Sequence, residues 1–239
     1  MRKGLWIVCS LLVVHLANAQ DFGFSASITQ EEFKAFAREM GTALWFSPGA
    51  PAESLGITGF DISADVVLTD MSNGETFWQH MTLGDPDSTL MATRIHAQKG
   101  LPFGVDVGMM WTDFRDTNGG AWGVEAKYAI LEGSTVMPAV TVRGSYSRLT
   151  GVDDFDMSTM GVDLMVSKGF LMVTPYGGIS LARIKASPNV DGFGLHGVTE
   201  TVTQVYGGVQ ISPMPFLVIN GEVVSGEVMQ YSLKAGIRF

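Results

Sequence analysis

The chain has 239 residues, of which 16% are charged and 29 are glycine, against roughly 25% charged and about 7% glycine in soluble domains. Mean hydropathy is +0.22, yet beyond the N-terminal stretch no apolar run reaches the ~18 residues a membrane helix needs. This excludes a disordered chain and a helical membrane protein, sits poorly with an ordinary cytosolic enzyme, and fits apolar surface spread through short alternating segments.

Arg2 and Lys3 are a basic start, Leu5 to Leu16 an apolar stretch, and Ala17-Asn18-Ala19 an A-x-A cleavage site. Residues 1–19 therefore read as a cleaved signal peptide. Cys9 is the single cysteine, so an exported mature chain is stable without disulfides. Removing Arg2 and Lys3 from the 15 bases leaves 13 against 24 acids, a mature charge of −11. Such a surface disfavours nucleic acid as a partner.

Residues 20–56 form an N-terminal segment with an amphipathic helix at 29–44. Thr29-Gln30-Glu31-Glu32 is a capping box, and Phe33, Phe36, Ala37, Met40 and Leu44 recur at helical spacing. Pro48, Gly49 and Pro51 end it. The helix has two readings, a plug in the lumen or a place at the periplasmic rim. An apolar face with Phe33 and Phe36 fits a polar channel badly, which favours the rim or a membrane surface.

From 57 to 239 the period is two. Phe60–Leu68, Met91–Gln98, Phe103–Trp111, Trp122–Ile130, Val140–Tyr146, Met160–Ser167, 171–185, Gln204–Ile211, Leu217–Val223 and Met229–Phe239 are the alternating segments. In 171–185 the phase is open, because Arg183 shares parity with Ile179 and Leu181, and Pro175 points to a bulge. Segments of about ten residues match a tilted membrane strand. Trp111, Trp122, Tyr128 and Tyr231 fall on the apolar parity, as an aromatic girdle requires. Tight connections near 99–102, 131–136, 167–170 and 212–215 alternate with mostly longer ones near 69–89, 113–119, 149–157 and 186–198. The expected fold is all-β: a transmembrane antiparallel up-and-down β-barrel of about ten strands (eight to twelve), with periplasmic turns and external loops.

The polar parity carries Asp61, Asp65, Asp106, Glu125, Asp163 and Glu222 with Arg94, Lys127, Arg143, Lys234 and Arg238. Such balance predicts lumen-lining charges held as ion pairs, since a lone buried charge is costly. A ten-strand barrel is also far narrower than the ~16–18 strands of an open aqueous channel. Asp153, Asp154 and Asp156 form a candidate loop site for Ca²⁺ or Mg²⁺. His80, His96 and His196 are scattered, without a partnered serine or a metal-ligand spacing, so no catalytic residue, cofactor or resident metal is assigned.

The final strand, Tyr231-Ser232-Leu233-Lys234-Ala235-Gly236-Ile237-Arg238-Phe239, resembles the C-terminal signature of Gram-negative outer-membrane β-barrel proteins. That resemblance implies that Tyr231, Leu233, Ile237 and Phe239 are read by the barrel-assembly machinery during biogenesis. Leu55–Asp61, Lys99–Asp106, Tyr128–Gly133 and Ser147–Asp153 are similar to a poorly characterised family of proteobacterial outer-membrane proteins, which brings no known activity. The resulting expectation is a non-enzymatic protein of the outer membrane, in contact with its lipid and lipopolysaccharide. It would be structural or a narrow passive pore for small solutes. The alternative is a transporter or binder of a hydrophobic ligand or lipid, motivated by 14 Met and 14 Phe.

Overall fold

Strict alternation lets one strand face serve hydrocarbon and the other an interior, and closure removes every unpaired edge. The computed structural model describes residues 21–24, 28–71, 76–83, 88–134, 136–190 and 192–239. The signal-peptide assignment at 1–19 lies outside them. In chain order the elements are β1 (Asp21–Phe22), α1 (Gln30–Leu44), β2 (Phe60–Asp70), α2 (Thr76–Met81), β3 (Thr82–Leu83), β4 (Thr89–Gly100), β5 (Val105–Phe114) and β6 (Gly120–Leu131). There follow β7 (Ala139–Thr150), β8 (Phe155–Ser167), β9 (Val173–Pro188), β10 (Val198–Met214), β11 (Leu217–Ser225) and β12 (Met229–Arg238).

β2 and β4–β12 form a closed barrel of ten strands, each antiparallel to its sequence neighbour. Closure comes from β12 on β2, in register from Arg238↔Asp61 to Met229↔Asp70. β1 and β3 make a separate ribbon, Asp21↔Leu83 and Phe22↔Thr82.

The barrel is inside-out relative to a soluble one. Ile95, Met109, Leu164, Leu181 and Leu233 are each more than half exposed, while Arg94, Arg143 and Lys234 are at most 1% exposed. The parity read as apolar faces outward, and the polar parity faces in. Trp111, Tyr128 and Tyr231 also point outward.

Phe60 and Phe239 stack at one end, with ring centroids 6.1 Å apart. The connections at that end are short, such as Pro215–Phe216 between β10 and β11. Phe103, which the alternation places in a strand, instead sits in the turn before β5 at φ 65°. The opposite end carries α2 and β3, between β2 and β4, and the end of β9 with the start of β10.

Pro175 makes no bulge. β9 keeps continuous register with β10 through it, including Val209↔Pro175, and with β8 up to Ser167↔Tyr176. The irregularities fall instead at Ala129/Leu131 and at Ile211/Met214. The open phase of β9 is also fixed: Arg183 and Lys185 face outward with Ile179 and Leu181.

The helix is inside the barrel, not at a rim or on a membrane surface. Phe33, Phe36, Ala37 and Met40 are fully buried against the wall. The reason is a layered interior. Toward the short-turn end the inward residues are charged, as with Asp61, Asp65, Arg94 and Arg143. Toward the long-loop end they are apolar, as with Val67, Phe114, Leu149, Phe155 and Ile184. An apolar helix face therefore has an apolar wall to pack on.

Candidate functional site: a charged lumen and the segment that fills it

The helix begins at the long-loop end. Thr29 Oγ1 accepts from the Glu32 amide at 3.3 Å, and Glu32 Oε2 accepts from the Thr29 amide at 2.7 Å, completing the capping box. The other Glu32 oxygen meets His80 Nδ1 at 3.1 Å and Thr76 Oγ1 at 3.2 Å, tying the cap to α2. The backbone amide of Thr29, with the other donors around it, holds the Glu32 carboxyl below its ordinary value. About two turns of helix further in, Trp78 Nε1 donates to Glu39 Oε2 at 2.8 Å, and Arg38 pairs with Glu227.

A helix ends with carbonyls that have no partner of their own, and α1 has no basic residue in its last turn. The barrel wall supplies the donors. Thr159 Oγ1 reaches the Gly41 carbonyl at 2.9 Å, Gln230 Nε2 that of Thr42 at 3.0 Å, Arg94 Nη2 that of Ala43 at 2.8 Å, and Ser147 Oγ that of Leu44 at 2.7 Å. Arg94 also places a cation where the helix dipole is negative.

Beyond Leu44 the chain is extended and crosses the charged layer. Arg143 donates to the Phe46 carbonyl while holding Glu125 Oε2 and Asp163 Oδ2, each at 2.5 Å. Its guanidinium lies over the rings of Trp45 and Phe46, 5.7 and 5.2 Å from their centroids. Glu222 Oε2 accepts from the Gly49 amide at 3.1 Å. Ser167 and Thr141 bracket Ala52 through its amide and carbonyl, at 3.1 and 2.5 Å. Asp106 takes the Leu55 amide at 3.1 Å and pairs with Lys127 at 3.2 Å. Trp45 fits because Gly161 stands opposite: a Cβ there would lie 2.6 Å from the indole nitrogen.

The remaining charges assigned from sequence also face this interior. Asp61 pairs with Arg238 at 2.9 Å, and Asp65 meets His96 Nε2 at 3.2 Å. Lys234 is fully buried beside Gly49, where an added Cβ would stand 3.5 Å from its Cδ. Thr141, Ser147, Thr159, Ser167 and Gln230 were not singled out by the sequence. Their partners are backbone atoms, which every residue carries alike.

The acidic cluster is not brought together. Asp154 Oδ2 accepts from the Phe24 amide at 2.9 Å, whereas Asp156 faces outward and pairs with Arg148 at 3.0 Å. Among the described residues no group of three or more potential ligands could hold a metal ion. His196 exchanges backbone bonds with the Gln30 amide side chain. Tyr231, Leu233, Ile237 and Phe239 line the outer face of the last strand and the rim beyond it.

No protein-family model matches the chain, and no curated protein does. Among solved structures it is similar to the translocator domain of autotransporter NalP from Neisseria meningitidis, at 10% identity over 90% of this chain and 99% of that one, with TM-score 0.46. The KdgM porin is similar at 10% identity over 75% and 99%, TM-score 0.41. Ail of Yersinia pestis is similar at 16% identity over 76% and 98%, TM-score 0.35.

Proposed function

We propose that this chain is a non-enzymatic, integral outer-membrane β-barrel held shut by its own N-terminal segment, with a structural role in the envelope. The band of outward apolar side chains supports the membrane setting, because in water that face would remain exposed. The short-turn end, with Phe60 and Phe239, is then periplasmic, and the long-loop end external. The outward row Tyr231, Leu233, Ile237 and Phe239 is the surface we assign to the barrel-assembly machinery.

One observation carries the closed state: Arg143 donates to the Phe46 carbonyl between Glu125 and Asp163. The charges that would line a pore bind the plug instead of water or solute. A hydrogen bond from a charged donor is worth about 1.5–3 kcal/mol, so releasing Arg94 and Arg143 together makes an open lumen a rare state. The helix and Trp45 occupy the interior that a hydrophobic cargo would need. His96 lies on Asp65 inside this closed interior, and the neighbouring Ser63 hydroxyl donates to Asp61 rather than to the imidazole, so this His, Asp and Ser group is not set as a nucleophile and base on an open cleft.

Single-channel recording in planar bilayers tests the reading, with heat-modifiable gel migration as the control for folding. The mature chain is expected to be silent, and a variant lacking residues 29–52 to give discrete conductance steps. Steps from the intact chain would establish the passive pore instead.

A further inference from the structure

The outward surface of the barrel carries few charges in its strands. Apart from Lys99 at the short-turn end of β4, whose ammonium is held by the carbonyls of Ile57, Gly59 and Gly100, the basic ones gather on one side. Arg148 on β7, and Arg183 and Lys185 on β9, all point outward near the external end. Register places them in two adjacent rows: Arg148↔Ser158↔Lys185 above, and Tyr146↔Met160↔Arg183 below. Between the rows lies a groove of about 220 Å³ lined by Tyr146, Ser158, Met160, Arg183 and Lys185. Directly beneath it, toward the periplasm, the same strands expose Val162, Leu164, Ile179 and Leu181. Among the described residues neither Arg183 nor Lys185 has a carboxylate within ion-pair range, and Arg148 shares Asp156.

We infer that this groove binds the phosphate groups of the phosphorylated glycolipid of the outer leaflet, with its acyl chains lying down the apolar strands below. The inference rests on the outer-membrane reading above, which fixes which end meets that leaflet. Charge complementarity argues for this occupant. The mature protein is strongly acidic, yet this patch sets two cations, Arg183 and Lys185, on one groove, with the Asp156-paired Arg148 beside Lys185 in the upper row, at the border where apolar side chains give way to polar ones. Arg183 and Lys185 offer donors suited to phosphate oxygens. The outward hydroxyls of Thr201 and Thr199 stand opposite them on β10. Toward the same end, β2 and β5 expose Asp70 and Asp113, which repel an anionic headgroup and confine it to the β7–β9 side. An amphiphile with phosphate above and hydrocarbon below matches this patch in both position and direction.

The test is native mass spectrometry of the full mature chain refolded in detergent micelles, with folding checked by heat-modifiable migration. The probes are diphosphorylated lipid A, the same lipid stripped of phosphate, and inorganic pyrophosphate. Wild type is expected to retain the diphosphorylated lipid in preference to the other two. Each cation removed should weaken retention about fivefold, so R183Q/K185Q should lose about 25-fold, while R115Q on the other side should change it less than twofold. Retention by R183Q/K185Q within twofold of wild type, or equal retention of the phosphate-free lipid, overturns the site. Pyrophosphate displacing the lipid completely at equal concentration overturns the lipid as occupant. A barrel that folds but fails these comparisons leaves the membrane reading standing. A chain that never migrates as a folded barrel overturns that reading, and the site with it.

Discussion

Arg94 Nη2 stands 2.8 Å from the carbonyl oxygen of Ala43, so a cation of the barrel wall sits on the C-terminal end of the plug helix. A second nitrogen of the same guanidinium donates to Ser47 Oγ at 3.1 Å, bridging the helix and the extended chain that follows. The wall thereby completes a helix whose own last turn lacks a base. In exchange, the plug gives the two terminal nitrogens of the buried guanidinium an acceptor each.

Replacing Arg94 with leucine removes both bonds and leaves Asp65 and Glu222 facing an apolar neighbour. Breaking a buried charge arrangement by deleting one member costs about 3–5 kcal/mol. R94L is expected to unfold at lower denaturant than wild type by that amount, followed by tryptophan fluorescence. Because Trp45 and Trp78 both contact the plug region, an unchanged midpoint would mean the plug contributes nothing to barrel stability.

Gly41 tests how tightly the helix is seated. In an exposed helix, glycine to alanine stabilises by about 1 kcal/mol. Here an added Cβ would lie 2.5 Å from Ile184 Cγ2 on β9, and nearly as close to two more of its carbons. G41A should therefore reverse the usual sign and lower the thermal midpoint, and I184A should restore it in the double variant. A stabilised G41A would show that the helix does not lie against β9.

The cap at the long-loop end predicts a pH response. The Glu32 carboxyl is held below its ordinary value by the Thr29 amide. The ionised form is therefore favoured in the folded state. Its contribution is complete above the unfolded value of ~4.3 and is lost as pH falls through the lower folded value. Amide exchange at the helix start, residues 30–34, should accelerate relative to the barrel strands on acidification through that range. E32Q should already exchange faster at neutral pH and lose the response. An identical pH profile in E32Q would detach the effect from the cap.

The sequence makes the barrel legible because period two survives in nearly every strand, and the capping box at Thr29 marks the helix start to the residue. Two things stay hidden, each for a physical reason. Alternation tells which side chains face in, but not at what height. It does not reveal that Val67 and Ile184 form an apolar storey above Asp61 and Arg143, so the helix finds no visible place inside. In β9, Arg183 and Lys185 sit above the apolar band, where charge is tolerated on the outer face, so hydrophobicity cannot set the phase there. The plug contacts leave no trace of their own, since Thr159, Ser147 and Arg143 bind carbonyls common to every residue.

The path of the N-terminal segment gives the sharpest topological prediction. The Phe22 amide donates to Asn118 Oδ1 at 3.0 Å and the Phe24 amide to Asp154 Oδ2 at 2.9 Å, both at the long-loop end. The Leu55 amide, by contrast, is bound by Asp106 near the short-turn end. Between these points the chain traverses the lumen, so residue 21 stands at the long-loop end while β2 starts at the short-turn end; in the orientation proposed above the first is external and the second periplasmic. Cys9 being the single cysteine, mature single-cysteine variants can be read without background. D21C is expected to react on intact cells with a membrane-impermeant maleimide, as D153C in an external loop does, while E132C in a short turn reacts only after the outer membrane is opened. Labelling of D21C only in opened cells, with D153C labelled throughout, would place the segment's start in the periplasm and rule out a plug threaded from outside.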